Sequence, residues 1–139
     1  MSTQIALTIA AIASGLLAGF FLASASVLNL MLNSSGEVRR IAIRSAIIAG
    51  ILGGIAALSA LGAIVNHLNV PDAMNVIGPT LVALALVVIG GALGLFAAAN
   101  ARRDPNPPVL LRWRQSNWGA MAVSAAAFIL LLAAMNTLV

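Results

Sequence analysis

Four long apolar runs separated by short polar segments dominate this chain. They cover about residues 5–30, 41–65, 76–100 and 118–138. About 20 helical residues cross a bilayer core about 30 Å thick, because each residue adds 1.5 Å, and every run is long enough. An open strand would leave backbone N–H and C=O groups unpaired in lipid, so each run should be an α-helix. The sequence therefore predicts one transmembrane domain over residues 1–139, an all-α, integral membrane, antiparallel four-helix bundle.

Composition supports a membrane location for the whole chain. Hydrophobic residues make up 62% of it and charged residues only 7%, whereas about a quarter of the residues in a soluble domain are charged. Such a chain cannot cover itself with a water-compatible surface. It also has no cysteine, which excludes disulfides and thiolate metal sites.

Arginines distinguish the two sides of the membrane. Three of the seven lie at the first connection and four at the third: Arg39, Arg40, Arg44, Arg102, Arg103, Arg112 and Arg114. The second connection and both terminal segments have neither arginine nor lysine. Because cytoplasmic loops are enriched in these residues, we expect loops 33–40 and 101–117 to be cytoplasmic. Both termini should then face the outside of a bacterial inner membrane.

The net charge of +4 has a simpler explanation than nucleic-acid binding. The arginines occupy short segments between apolar runs, where topology and anionic lipid headgroups account for them. We therefore expect no nucleic-acid partner. The first partners should be membrane lipids with anionic headgroups on the cytoplasmic side.

Each of the first three runs carries a Gly-xxx-Gly pair. The pairs are Gly15 and Gly19, Gly50 and Gly54, and Gly90 and Gly94. Inside lipid, helices associate through close packing of small residues, and this spacing places both glycines on one helix face. Two interpretations stay open: the pairs pack helices within one protomer, or at least one pair forms a seam with a second molecule.

Candidates for catalysis or metal binding are few. The acidic residues and the histidine are Glu37, Asp72, Asp104 and His67. Glu37 and Asp104 lie beside arginines, as solvated loop charges often do, and His67 should be a solvated loop histidine. His67 and Asp72 supply two ligands where a metal site needs three or four. We predict no catalytic residue, cofactor or metal, with a metal shared across an oligomer as the alternative.

The predicted spans contain no Asp, Glu or Lys, and Arg44 is peripheral. Proton pumps and secondary transporters usually carry such groups near the midplane. Ion-coupled transport is therefore disfavoured, whereas a pore made by several copies stays open.

The polar segment over residues 102–118 is the leading contact surface. Pro105, Pro107 and Pro108 predict a stiff, non-helical stretch over 102–108, and Pro108 could open a short interfacial helix that runs into the fourth span. The arginines and tryptophans suit lipid headgroups, an aromatic belt or a docking partner. The predicted contact residues are Arg102, Arg103, Arg112, Trp113, Arg114 and Trp118.

Two short patterns resemble the anthrone oxygenase-like family of small four-span membrane proteins. Residues 15–21 read Gly-Leu-Leu-Ala-Gly-Phe-Phe, and Trp113 is followed four residues later by Asn117, just before the last run. The family places an arginine three residues after that asparagine, where this chain has Ala120. The resemblance implies an enzyme or binder for a hydrophobic small molecule held within the bundle. We carry no catalytic residue over from it.

Several helix-contact surfaces and no convincing catalytic set favour a structural role. We predict a small inner-membrane accessory subunit that packs by Gly and Ala helix faces into a larger complex or homo-oligomer. The first alternative is a membrane enzyme or binder of a hydrophobic small molecule, as the resemblance implies. The second is a multi-copy pore or transporter.

A reporter fusion tests the predicted orientation. A reporter that is active only in the cytoplasm should be inactive when fused after Val139, because the arginine count places the C-terminus outside. The same reporter fused after residue 105 is the positive control. Activity at the C-terminus would overturn the orientation.

Overall fold

Four helices make up the structure, which is a computed structural model. It describes residues 2–31, 35–103 and 107–138, with side chains for 2–26, 40–100, 103 and 111–138. The helices are α1 (Thr3–Met31), α2 (Ser35–His67), α3 (Met74–Arg103) and α4 (Pro107–Thr137). The described ranges contain no strand, which confirms the predicted all-α class.

The helices form a closed bundle. Each helix packs against its neighbours in sequence, and α1 also packs against α4. Short connections make consecutive helices antiparallel, so the predicted antiparallel four-helix bundle is confirmed. The last turns of α1 and α3 and the first turns of α2 and α4 lie at one end, which we call the arginine end. The first turn of α1 and the last turn of α4 lie at the opposite end.

Buried residues recur every three or four positions along α4 and, apart from one interval of seven, along α2. On α4 they are Trp113, Asn117, Ala120, Ser124, Ala127, Leu131 and Ala134. On α2 they are Ala42, Ser45, Ala49, Ala56, Ala60, Ala63 and His67. This spacing corresponds to a 3.5-residue repeat, which favours a left-handed supercoil of helices that cross at small angles. Each of these two helices therefore contacts the bundle through a narrow seam.

Small residues fill much of the interior, whereas large apolar side chains face outward. Leu58, Phe96 and Ile129 are 72%, 73% and 64% exposed, a distribution that suits lipid rather than water. Four segments are long and apolar enough to cross a membrane: Thr3–Ser26, Arg40–His67, Met74–Asn100 and Leu111–Thr137. The chain is thus a multi-pass membrane protein.

The arginine end differs from the prediction. The stretch 102–108 was expected to be non-helical, but α3 continues through Arg103 and α4 begins at Pro107. The fourth helix therefore starts well before residue 118, and most of the predicted loop 101–117 is helical. A proline is tolerated in the first turn of a helix because its missing N–H has no intrahelical partner there.

Two of the predicted packing glycines lie at tight contacts with α4. A Cβ on Gly15 would lie 3.3 Å from the ring of Phe128. A Cβ on Gly90 would lie 3.0 Å from the Ser124 Oγ and 3.4 Å from the Ala120 carbonyl oxygen. The backbones of α3 and α4 therefore approach closely at Gly90.

Gly94 receives a side chain from across the bundle. A Cβ there would lie 2.5 Å from Cε1 and 2.7 Å from Cζ of Phe21, a ring that is 1% exposed. The α3 helix thus accommodates an aromatic ring from α1 by lacking a side chain at this position.

The other three predicted glycines have open surroundings. No neighbouring atom lies within 4 Å of a Cβ built on Gly19 or Gly54, and on Gly50 the contact is Leu95 Cδ2 at 3.9 Å. These glycines do not bring two helices of the described bundle into close contact.

Replacing Gly94 with alanine should destabilise the bundle. The new methyl group would overlap the buried Phe21 ring, and overpacking typically costs about 1–3 kcal/mol. Gly54→Ala is the matched control, because the site is open and alanine favours a helix by up to about 1 kcal/mol. Unfolding in detergent measures both variants.

A second substitution tests the cause of that loss. Phe21→Leu should cost less stability in the Gly94→Ala background than alone, because the smaller side chain leaves room for the methyl group. Equal stability of Gly94→Ala and Gly54→Ala would contradict the tight contact.

Candidate functional site

A groove opens between α3 and α4 at the arginine end of the bundle. Its volume is about 520 Å³, within the range of about 300–1,000 Å³ that is typical of small-molecule sites. The described lining residues are Leu93, Phe96, Ala97, Asn100, Arg103, Arg112, Trp113 and Ser116. We call it the α3–α4 groove.

The α3 wall changes from apolar to charged along its length. Leu93, Phe96 and Ala97 line its inner part. Asn100 and Arg103 follow at helical spacings that keep them on the same face. Ten residues of helix from Leu93 to Arg103 extend about 15 Å. A molecule lying along this wall would meet hydrocarbon at one end, and an amide and a guanidinium group at the other.

The α4 wall supplies Arg112, Trp113 and Ser116. Because α4 runs antiparallel to α3, Arg112 near its start lies at the same end of the groove as Arg103 near the end of α3. Both arginine side chains are exposed, and a guanidinium group stays protonated in proteins. Two positive charges from opposing helices therefore stand at the outer end of the groove.

Trp113 lines the groove from the bundle side. The indole is 1% exposed and belongs to a buried cluster with Ala42, Ala97 and Ala98. The prediction that Trp113 lies in an exposed aromatic belt is therefore wrong. Because α4 is already helical at this point, position 113 falls on its buried seam. Trp118 is 40% exposed, as a belt residue would be.

The structure brings three of the six predicted contact residues to the groove: Arg103, Arg112 and Trp113. Arg114 is partly buried and Trp118 is exposed, and neither is among the described lining residues. The side chain of Arg102 lies outside the described part of the chain. The predicted contact surface is thus divided, with only part of it facing the groove.

Sequence reasoning missed most of the α3 wall and Ser116. Leu93, Phe96 and Asn100 were assigned to an apolar span, and Ser116 to a loop. A usable signal was present, because intervals of three and four residues lead from Leu93 to Arg103. That stripe becomes informative only once α4 is known to continue back to Pro107 and to face it.

The groove can hold a negatively charged group. Its described lining residues include two arginines and no acidic residue. The N–H donors of a guanidinium group match the oxygens of a carboxylate or phosphate, and Asn100 and Ser116 add an amide and a hydroxyl donor. The described lining residues include no His, Asp or Glu, the side chains that most often act as general acids and bases. The arrangement therefore suits binding better than acid–base catalysis.

The histidine and the acidic candidates do not join this site. His67 is 7% exposed and continues the buried seam of α2 after Ala63, so the expectation of a solvated loop histidine is wrong. Asp72 lies in the following connection with a φ of 57°, at the end opposite the groove. The side chains of Glu37 and Asp104 lie outside the described part. Among the described residues, no group of three or more His, Cys, Asp or Glu could hold a metal.

Three buried polar atoms have no hydrogen-bond partner among the described residues: Ser14 Oγ, Ser124 Oγ and Asn117 Nδ2. By contrast, the Thr80 hydroxyl donates to the Val76 carbonyl oxygen at 2.7 Å. Ser124 instead faces Gly90, where α3 and α4 are close. None of the three atoms belongs to a described lining residue of the groove, so they belong to helix packing rather than to this site.

Comparisons of this chain with protein-family models, with curated proteins and with solved structures found no match.

Proposed function

We propose that this chain is a membrane-embedded binding protein for an anionic amphiphile. The observation that carries the proposal is the convergence of Arg103 and Arg112, from two antiparallel helices, at one end of a groove whose other end is apolar. A ligand with an oxyanion head and a hydrocarbon tail complements both ends. The observed lining thus favours the binding alternative over a purely structural role.

The position of the groove along the helices supports entry from the bilayer. The apolar run of α3 ends near residue 100 and that of α4 starts near residue 118, so Arg103 and Arg112 lie in the polar stretch just beyond the two runs, where the membrane surface is expected. Phe96 is 73% exposed on the side that lipid covers. An amphiphile can therefore enter the α3–α4 groove laterally from the bilayer while its head group stays at the membrane surface.

The arginine distribution supports a cytoplasmic location for the groove. Arg40 and Arg44 on α2 belong to the same end as Arg103 and Arg112, and cytoplasmic segments are enriched in arginine. The ligand would then come from the cytoplasmic leaflet of a bacterial inner membrane. The resemblance to the anthrone oxygenase-like family stays a prediction, and the binding proposal does not depend on it.

Removing both arginines of the groove should weaken binding of an anionic amphiphile. In a Trp118→Phe background, the fluorescence of Trp113 reports titration with dodecanoate or dodecyl phosphate in a nonionic detergent. Arg103→Gln with Arg112→Gln should weaken binding by about tenfold or more, because each charge-assisted hydrogen bond contributes about 1.5–3 kcal/mol.

Arg40→Gln with Arg44→Gln is the matched control, since it removes the same charge from the same end outside the groove. If both double variants bind the anionic ligand equally weakly, the loss comes from general electrostatic attraction and not from the groove. Dodecanol should bind equally to all variants. Failure of both anionic probes to bind the unmodified groove would refute the proposed function.

A second candidate function is contact with a protein partner or another copy through α2. Gly54 has open space, and Gly50 contacts only Leu95 at ordinary distance. Both lie on a membrane-spanning helix, where small residues allow a second helix to approach closely. This surface is the observation that favours an accessory subunit or homo-oligomer.

Leucine at Gly54 should prevent such an association without unfolding the protomer, because its side chain meets open space. Native mass measurement after mild detergent extraction gives the assembly state, and an unfolding curve gives the stability. Gly62→Leu is the control, since Gly62 is also open but lies two turns away. An unchanged assembly in Gly54→Leu would exclude this surface as the seam.

A further inference from the structure

We infer that the α3–α4 groove selects a phosphate monoester carried on a hydrocarbon chain. This inference rests on the proposed function and narrows its ligand class from anionic amphiphiles in general. Three features carry it: the charge at the outer end of the groove, the depth of its two neutral donors, and its volume.

The charge of the groove matches a dianion. Arg103 and Arg112 supply two positive charges, and none of the described lining residues is acidic. A phosphate monoester carries a charge of about −1.5 to −2 at pH 7 and presents three terminal oxygens. A carboxylate or phosphate diester carries a single negative charge and would leave one guanidinium group without a charged partner. Arginine forks from opposing helices can each bind a different pair of terminal oxygens.

The two neutral donors lie one turn deeper than the arginines on both walls. Asn100 precedes Arg103 by three residues on a helix that runs toward the arginine end. Ser116 follows Arg112 by four residues on a helix that runs away from it. Both donors therefore lie on the membrane side of the arginines, at the depth where an ester oxygen would join the head to its chain.

The volume of the groove suits one head group and one chain. The volume of about 520 Å³ lies within the range of about 300–1,000 Å³ that is typical of small-molecule sites. The chain of dodecyl phosphate would lie along Leu93, Phe96 and Ala97, in the part of the groove that opens to lipid.

Protonation of the ligand gives its binding a characteristic pH dependence. The second pKa of a phosphate monoester is about 6, so the dianion is lost as the pH falls below that value. The described charged side chains at this end are Arg40, Arg44, Arg103, Arg112 and Arg114, all of them guanidinium groups. His67 and Asp72 lie at the opposite end. Binding of the monoester should therefore weaken on acidification, whereas binding of a diester should not.

The test compares dodecyl phosphate with methyl dodecyl phosphate on the full-length Trp118→Phe protein in a nonionic detergent. Near neutral pH the monoester should bind about tenfold more tightly, the effect expected for one additional charge-assisted hydrogen bond. Between about pH 7.5 and pH 5 its affinity should fall by roughly fivefold, because about a tenth of the ligand is still the dianion at pH 5 and the monoanion binds about tenfold more weakly. Phosphorus NMR line broadening measures the same titration without the tryptophan signal.

Substitution of acidic residues of the protein provides the remaining control on the pH dependence. Glu37→Gln with Asp104→Asn should keep the pH dependence, because the ligand and not the protein titrates. Loss of the dependence in that variant would overturn the inference, as would equal affinity for both esters at every pH. In either case, binding of both esters through Arg103 and Arg112 would still support the proposed function. If dodecanoate and both esters fail to bind, the proposed function falls together with this inference.

Discussion

The close approach of α3 and α4 at Gly90 is the contact on which the bundle most depends. A Cβ at that position would lie 3.0 Å from the Ser124 Oγ and 3.4 Å from the Ala120 carbonyl oxygen, so a side chain there would press on Ser124. In lipid, little hydrophobic drive brings helices together, and close packing must do so instead. One turn further, Gly94 accommodates the Phe21 ring from α1. Two glycines of α3 thus lie at its packing contacts with α4 and with α1.

The residues of α4 along the same seam become larger toward the arginine end. Where Ser124 faces Gly90, the side chains between α3 and α4 are small. Three turns earlier on α4 the seam position is taken by Trp113, which packs with Ala97 and Ala98. An indole needs more room than a hydroxymethyl group, even beside alanines. The space alongside it forms the groove, so the packing that holds the helices together also produces the candidate binding site.

Hydrophobic length and the arginine distribution were enough to predict the class, the four spans and the end of the bundle where a polar site would form. Both signals reflect the bilayer, which constrains the length and the flanking charges of each segment separately. The start of α4 was only partly predicted: a helix opening at Pro108 and running into the fourth span was allowed, whereas the fourth span itself was placed from residue 118, and α4 begins at Pro107. Trp113 was placed at the surface for the same reason: the side that a residue faces depends on where its helix begins.

The glycine pairs show a second limit of sequence reasoning. All three have the same spacing, yet Gly90 and Gly94 lie at tight contacts whereas Gly50 and Gly54 face open space. A small-xxx-small pattern indicates that a helix could approach, but not from which side. That choice is made by the neighbouring helices, whose orientation depends on all four seams at once. The open pair on α2 is therefore evidence of available surface rather than of a partner.

The groove places charged side chains close to hydrocarbon, an arrangement that is usually costly in a membrane. Arg112 lies about six residues before the apolar run that starts near residue 118, and a guanidinium group near hydrocarbon is costly unless it finds water or a counter-charge. Its exposure at the mouth of the groove provides water in the free protein. A bound oxyanion would replace that water with charge-assisted hydrogen bonds, and a ligand that binds the folded state stabilises it. Because Trp113 connects the groove with Ala42 of α2, occupancy of the groove should stabilise the contacts among three helices at the arginine end.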